Sequence, residues 1–228
     1  MNMNGFFVTG TGTGVGKTVV SAILVEALKA DYWKPIQSGN QDFTDSDFIK
    51  EYTIHCQTIH SEVYLFPDPV APFFASKLVN KVIDLQYISL PKTNNNLIVE
   101  GAGGLFVPLS ENSLIKDLIL KLKLPVILVS MNYLGSINHT LLTIETLKQE
   151  NIEIAGIIFN GEPDIETENF ILNYSKIPLL GKVFRADIMS KGFINKQAEQ
   201  IRKTLLPLLK VFPEIISPID LPIDYESF

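Results

Sequence analysis

A glycine-rich loop near the start of the chain most constrains its fold. Residues 10–18 read GTGTGVGKT, directly after the apolar run 6–8 and directly before an apolar helical pattern over 19–28. A phosphate-binding loop requires this order of strand, loop and helix, because glycines let backbone N–H groups approach phosphate oxygens and the helix start adds its positive dipole end. The ending Gly-Lys-Thr in that context predicts that the chain binds a nucleotide.

The residues of this loop have separate expected roles. Lys17 is expected to reach the terminal phosphates, and Thr18 to offer its hydroxyl to Mg²⁺. Five residues separate Gly10 from Gly16, one more than in the common phosphate-binding loop, which favours a subclass. A dinucleotide-binding loop is the alternative, because Gly10 and Gly12 partly imitate G-x-G-x-x-G. Lysine followed by threonine, however, suits a triphosphate with its metal better than a pyrophosphate bridge.

Composition predicts a single domain over residues 1–228 that does not bind nucleic acid. A chain of this length buries roughly 70–75% of the surface that its unfolded form exposes, so no disulfide is needed. The net charge of -6 and the scattered basic residues lack the positive footprint of a nucleic-acid binder.

The single cysteine, Cys56, excludes an internal disulfide, and residues 1–4 do not read as a secretion signal. No apolar run approaches the roughly 18–20 residues of a membrane span, so we expect a cytoplasmic protein.

Short apolar runs alternate with helical patterns, which predicts an α/β, single-domain P-loop fold: a mostly parallel sheet with helices on both faces. The run 126–129 is continuously apolar, as expected of a strand buried on both faces. The tail from about residue 212 carries prolines among acidic residues and is expected to lie along the surface. Predicted strands cover residues 6–9, 32–36, 96–100, 125–130, 152–160 and 178–183, and predicted helices cover 17–30, 47–52, 71–80, 84–90, 113–122, 136–150, 166–174 and 195–210.

Polar residues follow several predicted strands, at the edge of a parallel sheet where ligands collect. Glu100 ends one strand before a glycine-rich run, and a carboxylate there can hold Mg²⁺. Lys34 ends another strand and can neutralise an anionic substrate or a transferring phosphoryl group. Asp47 is a further candidate metal ligand, whereas Asp45 or Ser46 can simply cap the helix that follows.

The loop at residues 132–139 enters a predicted helix after the strand that ends at residue 130. Backbone N–H groups at such a helix start can receive a carboxylate, although an ordinary cap formed by Ser136 explains the same pattern. The other metal-ligand types, His55, Cys56 and His60, lack the spacing of a zinc site.

Together these segments resemble the dethiobiotin synthetase family, ATP-dependent ligases that close the ureido ring in biotin synthesis. The resemblance runs in consistent order from residue 6 to about residue 183, and the longer gap in the phosphate-binding loop is itself typical of that family. Several separately weak motifs in the right order make the match specific. The segments that carry it are residues 7–11, 15–18, 32–35, 38–39, 45–47, 99–104, 109–110, 124–129, 134–139 and 179–181.

The resemblance implies a homodimer in which each site takes Mg-nucleotide, CO₂ and 7,8-diaminopelargonic acid, with ATP as co-substrate. It implies that Lys17 contacts the phosphates, while Thr13, Lys34 and Ser38 surround a carbamate and the phosphoryl group that moves onto it. The loop 135–138 of the partner subunit would hold the distant carboxylate of the substrate, which matches the helix-start anion site.

The same resemblance assigns the metal and the remaining contacts. Mg²⁺ would be gathered by Thr18, Asp47 and Glu100, and Asn160 would read the base. The nucleotide contacts that it implies are Gly12, Thr13, Gly14, Val15, Gly16, Lys17, Thr18 and Asn160, and the substrate contacts are Lys34, Ser38, Gly101, Gly135, Ser136, Ile137 and Asn138.

Departures from the family pattern bear mainly on recognition. Gly12 and Gly14 stand where many members carry acidic residues, so the loop lacks those side chains. Residues 71–73 read Ala-Pro-Phe in place of Ser-Pro-His, which predicts a more apolar substrate wall. Gly161 replaces the usual aspartate after the base-reading asparagine, and residues 182–185 replace a proline region. We therefore predict relaxed selectivity for the base.

Other classes with the same loop remain as alternatives. A partitioning ATPase of the related P-loop branch would carry a second lysine near the start of the loop, where this chain has Gly12. An amidating ligase acting on another carboxylate would usually add a glutamine-hydrolysing domain with a nucleophilic cysteine, for which the residues after 210 leave no room. A noncatalytic nucleotide-binding module is the third alternative if the substrate loop is decayed, and phosphate release that depends on the diamine would separate an enzyme from it.

Overall fold

A seven-stranded parallel sheet forms the centre of the computed structural model, which describes residues 5–39 and 42–209, with side chains up to residue 205. The strands are β1 (Gly5–Gly10), β2 (Asp31–Trp33), β3 (Ile36–Ser38), β4 (Ile59–His60), β5 (Tyr64–Phe66), β6 (Leu97–Glu100), β7 (Val126–Met131), β8 (Ile154–Asn160) and β9 (Leu179–Val183). The main sheet has the order β4-β2-β6-β1-β7-β8-β9 with every neighbouring pair parallel. The predicted fold class is confirmed.

Helices cover both faces of this sheet, as its continuously apolar strands require. Along β1, Phe6 and Val8 join one buried cluster and Phe7 joins the cluster on the opposite face. The first cluster includes side chains of α1 and α7, and the second includes side chains of α4. The helices are α1 (Lys17–Leu28), α2 (Asp45–Tyr52), α3 (Pro72–Leu78), α4 (Ile115–Leu122), α5 (Ser136–Gln149), α6 (Ile165–Ser175) and α7 (Lys191–Leu209).

The predicted strand over 32–36 divides at Pro35. Its first part is β2, and its second part, β3, pairs in parallel with β5 in a separate two-stranded sheet. Proline has no N–H for a ladder, whereas the Pro35 carbonyl accepts hydrogen bonds from the backbone N–H groups of Val63 and Tyr64. The chain therefore leaves the main sheet at this point and turns Ile36–Ser38 over the sheet edge where ligands collect.

Other boundaries differ for local reasons. The predicted helix over 84–90 is a single 3₁₀ turn, Leu85–Tyr87, and the residue before Pro91 is disfavoured in a helix. The strands β4 and β5 are too short to show a pattern, and α7 begins at Lys191 rather than at residue 195. The proline-containing tail from about 212 and the predicted helix end at 210 lie outside the described residues.

The position of β1 decides where a ligand can bind. It lies between β6 and β7, so the loop after Gly10 emerges at the carboxyl edge with strands on both sides. In doubly wound sheets, ligands bind in the crevice at such a point. Among residues 5–39 and 42–209, no helix has the length and apolar character that crossing a membrane would need.

Candidate nucleotide and ligase site

The loop between β1 and α1 has the conformation of a phosphate cradle. Gly14 and Gly16 take the left-handed region at φ 76° and 92°, where side chains are strained. A Cβ on Gly16 would also lie 2.1 Å from Asn160 Nδ2, so only glycine fits there. Lys17 Nζ donates to the Gly12 carbonyl at 2.9 Å, which folds the lysine back across the loop.

Next to the loop, charged and hydroxyl side chains from four separate segments meet. Lys34 Nζ lies 2.5 Å from Asp45 Oδ2 and 3.0 Å from Glu100 Oε1. Thr18 Oγ1 lies 2.6 Å from Asp45 Oδ1 and 2.9 Å from Glu100 Oε1, and the Tyr32 hydroxyl donates to Glu100 Oε2 at 2.9 Å. We call these five residues the charged cluster. Because Glu100 is only 1% exposed and Lys34 only 5%, the pairing is nearly free of water screening.

Burial and pairing compete in setting the protonation of this cluster. Burial opposes the charge of Lys34, but Glu100 and Asp45 outweigh it and raise the Lys34 pKa. Burial likewise opposes the Asp45 charge, and Lys34 outweighs it, so the pKa of that carboxyl is lowered. Within residues 5–39 and 42–209, Lys17 forms no ion pair with a carboxylate, and burial lowers its pKa from 10.5 to about 8. Because burial disfavours its charge, the Lys17 ammonium is strongly stabilised when a phosphate binds beside it.

Asp47 does not join Thr18 and Glu100 in this structure, in contrast to the metal site that the resemblance implies. Its Oδ2 accepts from the backbone N–H and the hydroxyl of Thr44, and its own N–H donates to Thr44 Oγ1 at 3.1 Å. Asp47 is therefore the third residue of a capping box, and Thr44 is the helix cap in place of Asp45 or Ser46. Asp45, in the first turn of α2, points into the charged cluster instead.

A cavity of about 560 Å³ opens beside the loop and the charged cluster. It is lined by Thr13 and Ser38, and Ser38 Oγ is buried with no hydrogen-bond partner among the residues that the structure describes. Gly101 lies behind this wall rather than on it, since a Cβ there would meet the Phe7 ring at 2.8 Å. The remaining lining residues are Gly14, Gly16, Lys17, Thr18, Val19, Lys34, Gln37, Asp45, Pro69, Val70, Ala71, Pro72, Glu100, Ala102, Gly103 and Val107.

The segment 71–73 supplies only part of the expected apolar wall. Ala71 and Pro72 line the cavity, together with Val70. Phe73 turns away from it towards a different cavity, with Lys77 Nζ 4.1 Å from its ring centroid. The substitution at Phe73 therefore acts outside the reaction cavity.

Asn160 ends β8 against the underside of the phosphate-binding loop. Its Nδ2 donates to the Val15 carbonyl at 3.0 Å, while the Val15 side chain is buried in the core. Gly161 follows in the left-handed region at φ 102°, and its N–H donates to the Val183 carbonyl. The predicted base-reading residue is thus adjacent to the loop, on the side of β7, β8 and β9.

The predicted carboxylate loop lies at the start of α5 and does not line the reaction cavity. Gly135 is left-handed at φ 98°, Ser136 and the half-buried Ile137 pack inwards, and Asn138 is exposed. Ser136 is therefore not the cap that the sequence offered as an alternative, because Gly135 holds that position without a side-chain hydrogen bond. A second cavity of about 540 Å³ lies between α5 and the first half of the phosphate-binding loop, and its rim includes the exposed Phe106 and Leu142.

Comparison with solved structures defines the class of protein. The chain is similar to a ParA family ATPase from Chlorobium tepidum, with TM-score 0.55 and 16% identity over 92% of this chain and 99% of that one. It is also similar to a plasmid partition protein from Borrelia burgdorferi, with TM-score 0.57 and 13% identity over 90% and 98%. These likenesses concern the fold, and with the loop geometry they make this chain a P-loop α/β protein.

Sequence comparison then defines the family. Residues 4–190 match the family model described as an AAA domain. The ATP-dependent dethiobiotin synthetase of Christiangramia forsetii is 43% identical over 201 residues, covering 88% of this chain and 97% of that protein. Its counterparts in Cytophaga hutchinsonii and Chlamydia pneumoniae are 44% and 40% identical over 87% of this chain. The chain belongs to the ATP-dependent dethiobiotin synthetase family, and it is an ATP-dependent ligase.

Proposed function

We propose that the chain joins CO₂ to 7,8-diaminopelargonic acid and closes the ring to dethiobiotin, converting ATP to ADP and phosphate. The observation that carries this proposal is the charged cluster, which faces a cavity shared with the phosphate-binding loop. A carbamate and a triphosphate repel one another, so a ligase of this kind needs fixed cations between them. Lys17 and Lys34 both line one cavity and provide those cations.

The reaction divides into three steps. One amine of the substrate attacks CO₂, loses a proton and becomes a carbamate. A carbamate oxygen then attacks the γ-phosphorus of ATP, and ADP leaves with the electrons of the broken P–O bond. The second amine attacks the carbonyl carbon of this carbamic-phosphoric anhydride, loses a proton and expels phosphate, which closes the five-membered urea. Holding the reactants together can lower the barrier by roughly 7–11 kcal/mol.

The chain's own residues position and neutralise these groups. Lys17 contacts the phosphates once it leaves the Gly12 carbonyl, and Lys34 contacts the carbamate and the moving phosphoryl group. Thr13 and Ser38 orient the same groups, and the Ser38 hydroxyl, which no described residue engages, is suited to this purpose. Val70, Ala71 and Pro72 give this cavity an apolar wall, against which the apolar part of the substrate would pack.

The oxygen donors beside the loop fit Mg²⁺. Thr18 Oγ1 lies within 2.9 Å of carboxylate oxygens of both Asp45 and Glu100, and Mg²⁺ is usually held by one or two carboxylates together with substrate phosphates and waters. We therefore assign the metal to Thr18, Asp45 and Glu100. The bound ion would neutralise charge on the β- and γ-phosphates.

The two remaining roles lie outside the reaction cavity. Asn160, already fixed against the loop, would read the base with the part of its amide that Val15 does not engage. The exposed start of α5 would serve the active site of a second subunit, with residues 135–138 binding the substrate's distant carboxylate. The exposed Phe106 and Leu142 beside it are suited to cover by the partner in a homodimer.

Turnover of the purified protein with Mg-ATP, bicarbonate and diaminopelargonate tests the activity, with phosphate and dethiobiotin both measured. We expect stoichiometric formation of both products. Phosphate release without the diamine would instead support a partitioning ATPase, and the absence of phosphate release would support a noncatalytic module. The first of these is already disfavoured, because Gly12 stands where such an ATPase carries its second lysine.

The shared site is tested by complementation. Lys17→Ala subunits and Asn138→Trp subunits should each be inactive as homodimers. Their heterodimers should recover one intact site, because the Lys17→Ala subunit lends its intact α5 start to the intact phosphate-binding loop of the Asn138→Trp subunit. If subunit exchange is demonstrated by mass and no activity returns, the shared site is wrong.

A further inference from the structure

A buried carboxylate on the far side of the phosphate-binding loop has no part in the chemistry above. Glu168, on α6, is 1% exposed. Its Oε1 accepts from Asn132 Nδ2 at 2.8 Å and from the backbone N–H of Asp164 at 3.2 Å, and its Oε2 forms an ion pair with Lys182. An ionised carboxylate is tolerated at this depth only when such partners satisfy it.

The partners of Glu168 come from three strand ends. Lys182 belongs to β9, Asn132 directly follows β7, and Asp164 ends the loop that follows β8. Asn132 Nδ2 also donates to the Glu162 carbonyl at 2.9 Å, which anchors the same loop a second time. One carboxylate therefore fixes the loop 161–164 relative to both neighbouring strands.

This loop begins directly after Asn160, whose side chain donates to the Val15 carbonyl of the phosphate-binding loop. The register places Asn160 beside Met131 on one strand and Val183 on the other. On the opposite side of the phosphate-binding loop, the cavity of about 560 Å³ is lined by four residues of the charged cluster and by the apolar wall proposed for the substrate. A nucleotide whose phosphates lie on the loop therefore has its nucleoside end towards β8 and β9.

We propose that Glu168 is a positioning residue for nucleotide binding, which holds the loop 161–164 and β9 in place around the nucleoside and leaves the phosphate contacts unaffected. The proposal rests on the nucleotide site proposed above, but not on the diamine or on ring closure. It distinguishes two parts of one ligand. ADP contains the nucleoside, whereas inorganic tripolyphosphate offers only phosphates to the loop.

Glu168→Gln tests this with isothermal titration calorimetry of ADP and of tripolyphosphate. The amide keeps an acceptor for Asn132 and Asp164 but loses the charge that holds Lys182. We expect ADP affinity to fall about tenfold and tripolyphosphate affinity to change less than about twofold, in keeping with loss of one charge-assisted contact. In turnover, KM for ATP should rise while kcat stays within about twofold.

Glu26→Gln is the matched control. Glu26 is another buried glutamate that accepts from two backbone N–H groups, those of Ile54 and His55, but it joins α1 to the segment after α2, away from the nucleoside side. It should lower the melting temperature without changing the ratio of ADP to tripolyphosphate affinity. A change of that ratio in Glu26→Gln equal to the change in Glu168→Gln would overturn the proposal.

Asn132→Ala keeps the proposal testable if Glu168→Gln does not fold. It removes the links from Asn132 to Glu168 and to the Glu162 carbonyl, and it should weaken ADP about threefold with tripolyphosphate unchanged. Equal losses for both ligands, or no loss for either, would show that Glu168 has a purely structural role. If wild-type protein binds ADP but makes no dethiobiotin, the proposed function fails while this inference stands.

Discussion

The two sides of the phosphate-binding loop present different chemical groups. On the side of β2 and β6, Lys34, Asp45 and Glu100 are already paired with each other. On the side of β8 and β9, the loop 161–164 and the segment after β9 present backbone groups and exposed side chains such as Phe184. Preorganised charge serves a transition state, whereas a rim of hydrogen bonds serves recognition. Substitutions should therefore affect the rate on the first side and mainly affinity on the second.

The largest effect is expected at Lys34. Lys34→Ala should lower kcat about a thousandfold, because it removes a fixed cation from the place where two anions meet, while ADP affinity changes less than about threefold. Single-turnover phosphate release and calorimetry separate the two quantities, with circular dichroism as the check on folding. Equal losses of turnover and ADP binding would make Lys34 a nucleotide anchor and would remove the contrast between the sides.

Asp45 and Asp47 form a matched pair only two positions apart. Asp45→Asn should reduce kcat about a hundredfold and weaken Mn²⁺ binding, followed by electron paramagnetic resonance, because it removes a charge beside Thr18 and Lys34. Asp47→Asn should leave both unchanged and cost about 1 kcal/mol of stability through the capping box. The reverse result would restore Asp47 to the metal site.

Base selectivity tests the side of the phosphate-binding loop that faces β8 and β9. Asn160 remains, but Gly161 supplies no carboxylate, and loss of one hydrogen-bonded group commonly costs about 1–3 kcal/mol of discrimination. GTP or CTP should thus support turnover within about tenfold to a hundredfold of ATP, compared as kcat/KM under saturating diamine and bicarbonate. An ATP preference above about a thousandfold would show that backbone groups read the base.

The smallest effect concerns pH. Because burial lowers the Lys17 pKa to about 8, the free protein carries this charge at pH 7 and loses it as the pH rises. Tripolyphosphate affinity should fall about tenfold between about pH 7 and pH 9, since about nine-tenths of the Lys17 side chains in the free protein are neutral at about pH 9. In Lys17→Arg the charge persists, so its profile shows only the titration of the ligand. Identical profiles for both proteins would contradict the lowered pKa.

Much of this site follows from short segments. Residues 10–18 are sufficient to predict the phosphate cradle, because its glycines and its lysine-threonine ending lie within this one segment. Lys34 and Glu100 were predicted because polar residues at strand ends share one edge of a parallel sheet. The different placement of Asp45 and Asp47 is also local, because the T-x-x-D pattern beginning at Thr44 indicates a capping box that engages Asp47 and leaves Asp45 available to the site.

Contacts between distant segments were beyond such patterns. Tyr32 and Glu100 are joined by the adjacency of β2 and β6, and nothing in the neighbouring letters indicates that the tyrosine hydroxyl donates to that carboxylate. The same holds for Glu168, which reads as an exposed helix glutamate until β9 places Lys182 against it. A prediction at that level requires the strand order, which local periodicity does not contain.

The chain's sequence by itself determined the class: apolar runs long enough for strands, helices between them, and glycines where the backbone must turn left-handed and approach phosphate. Only the tertiary structure decided which charges meet. Lys34, Asp45 and Glu100 come together because strand order and the turn at Pro35 bring three chain segments to one edge of the sheet. Because these side chains are buried, their charged forms are stable only with the partners that the fold places beside them.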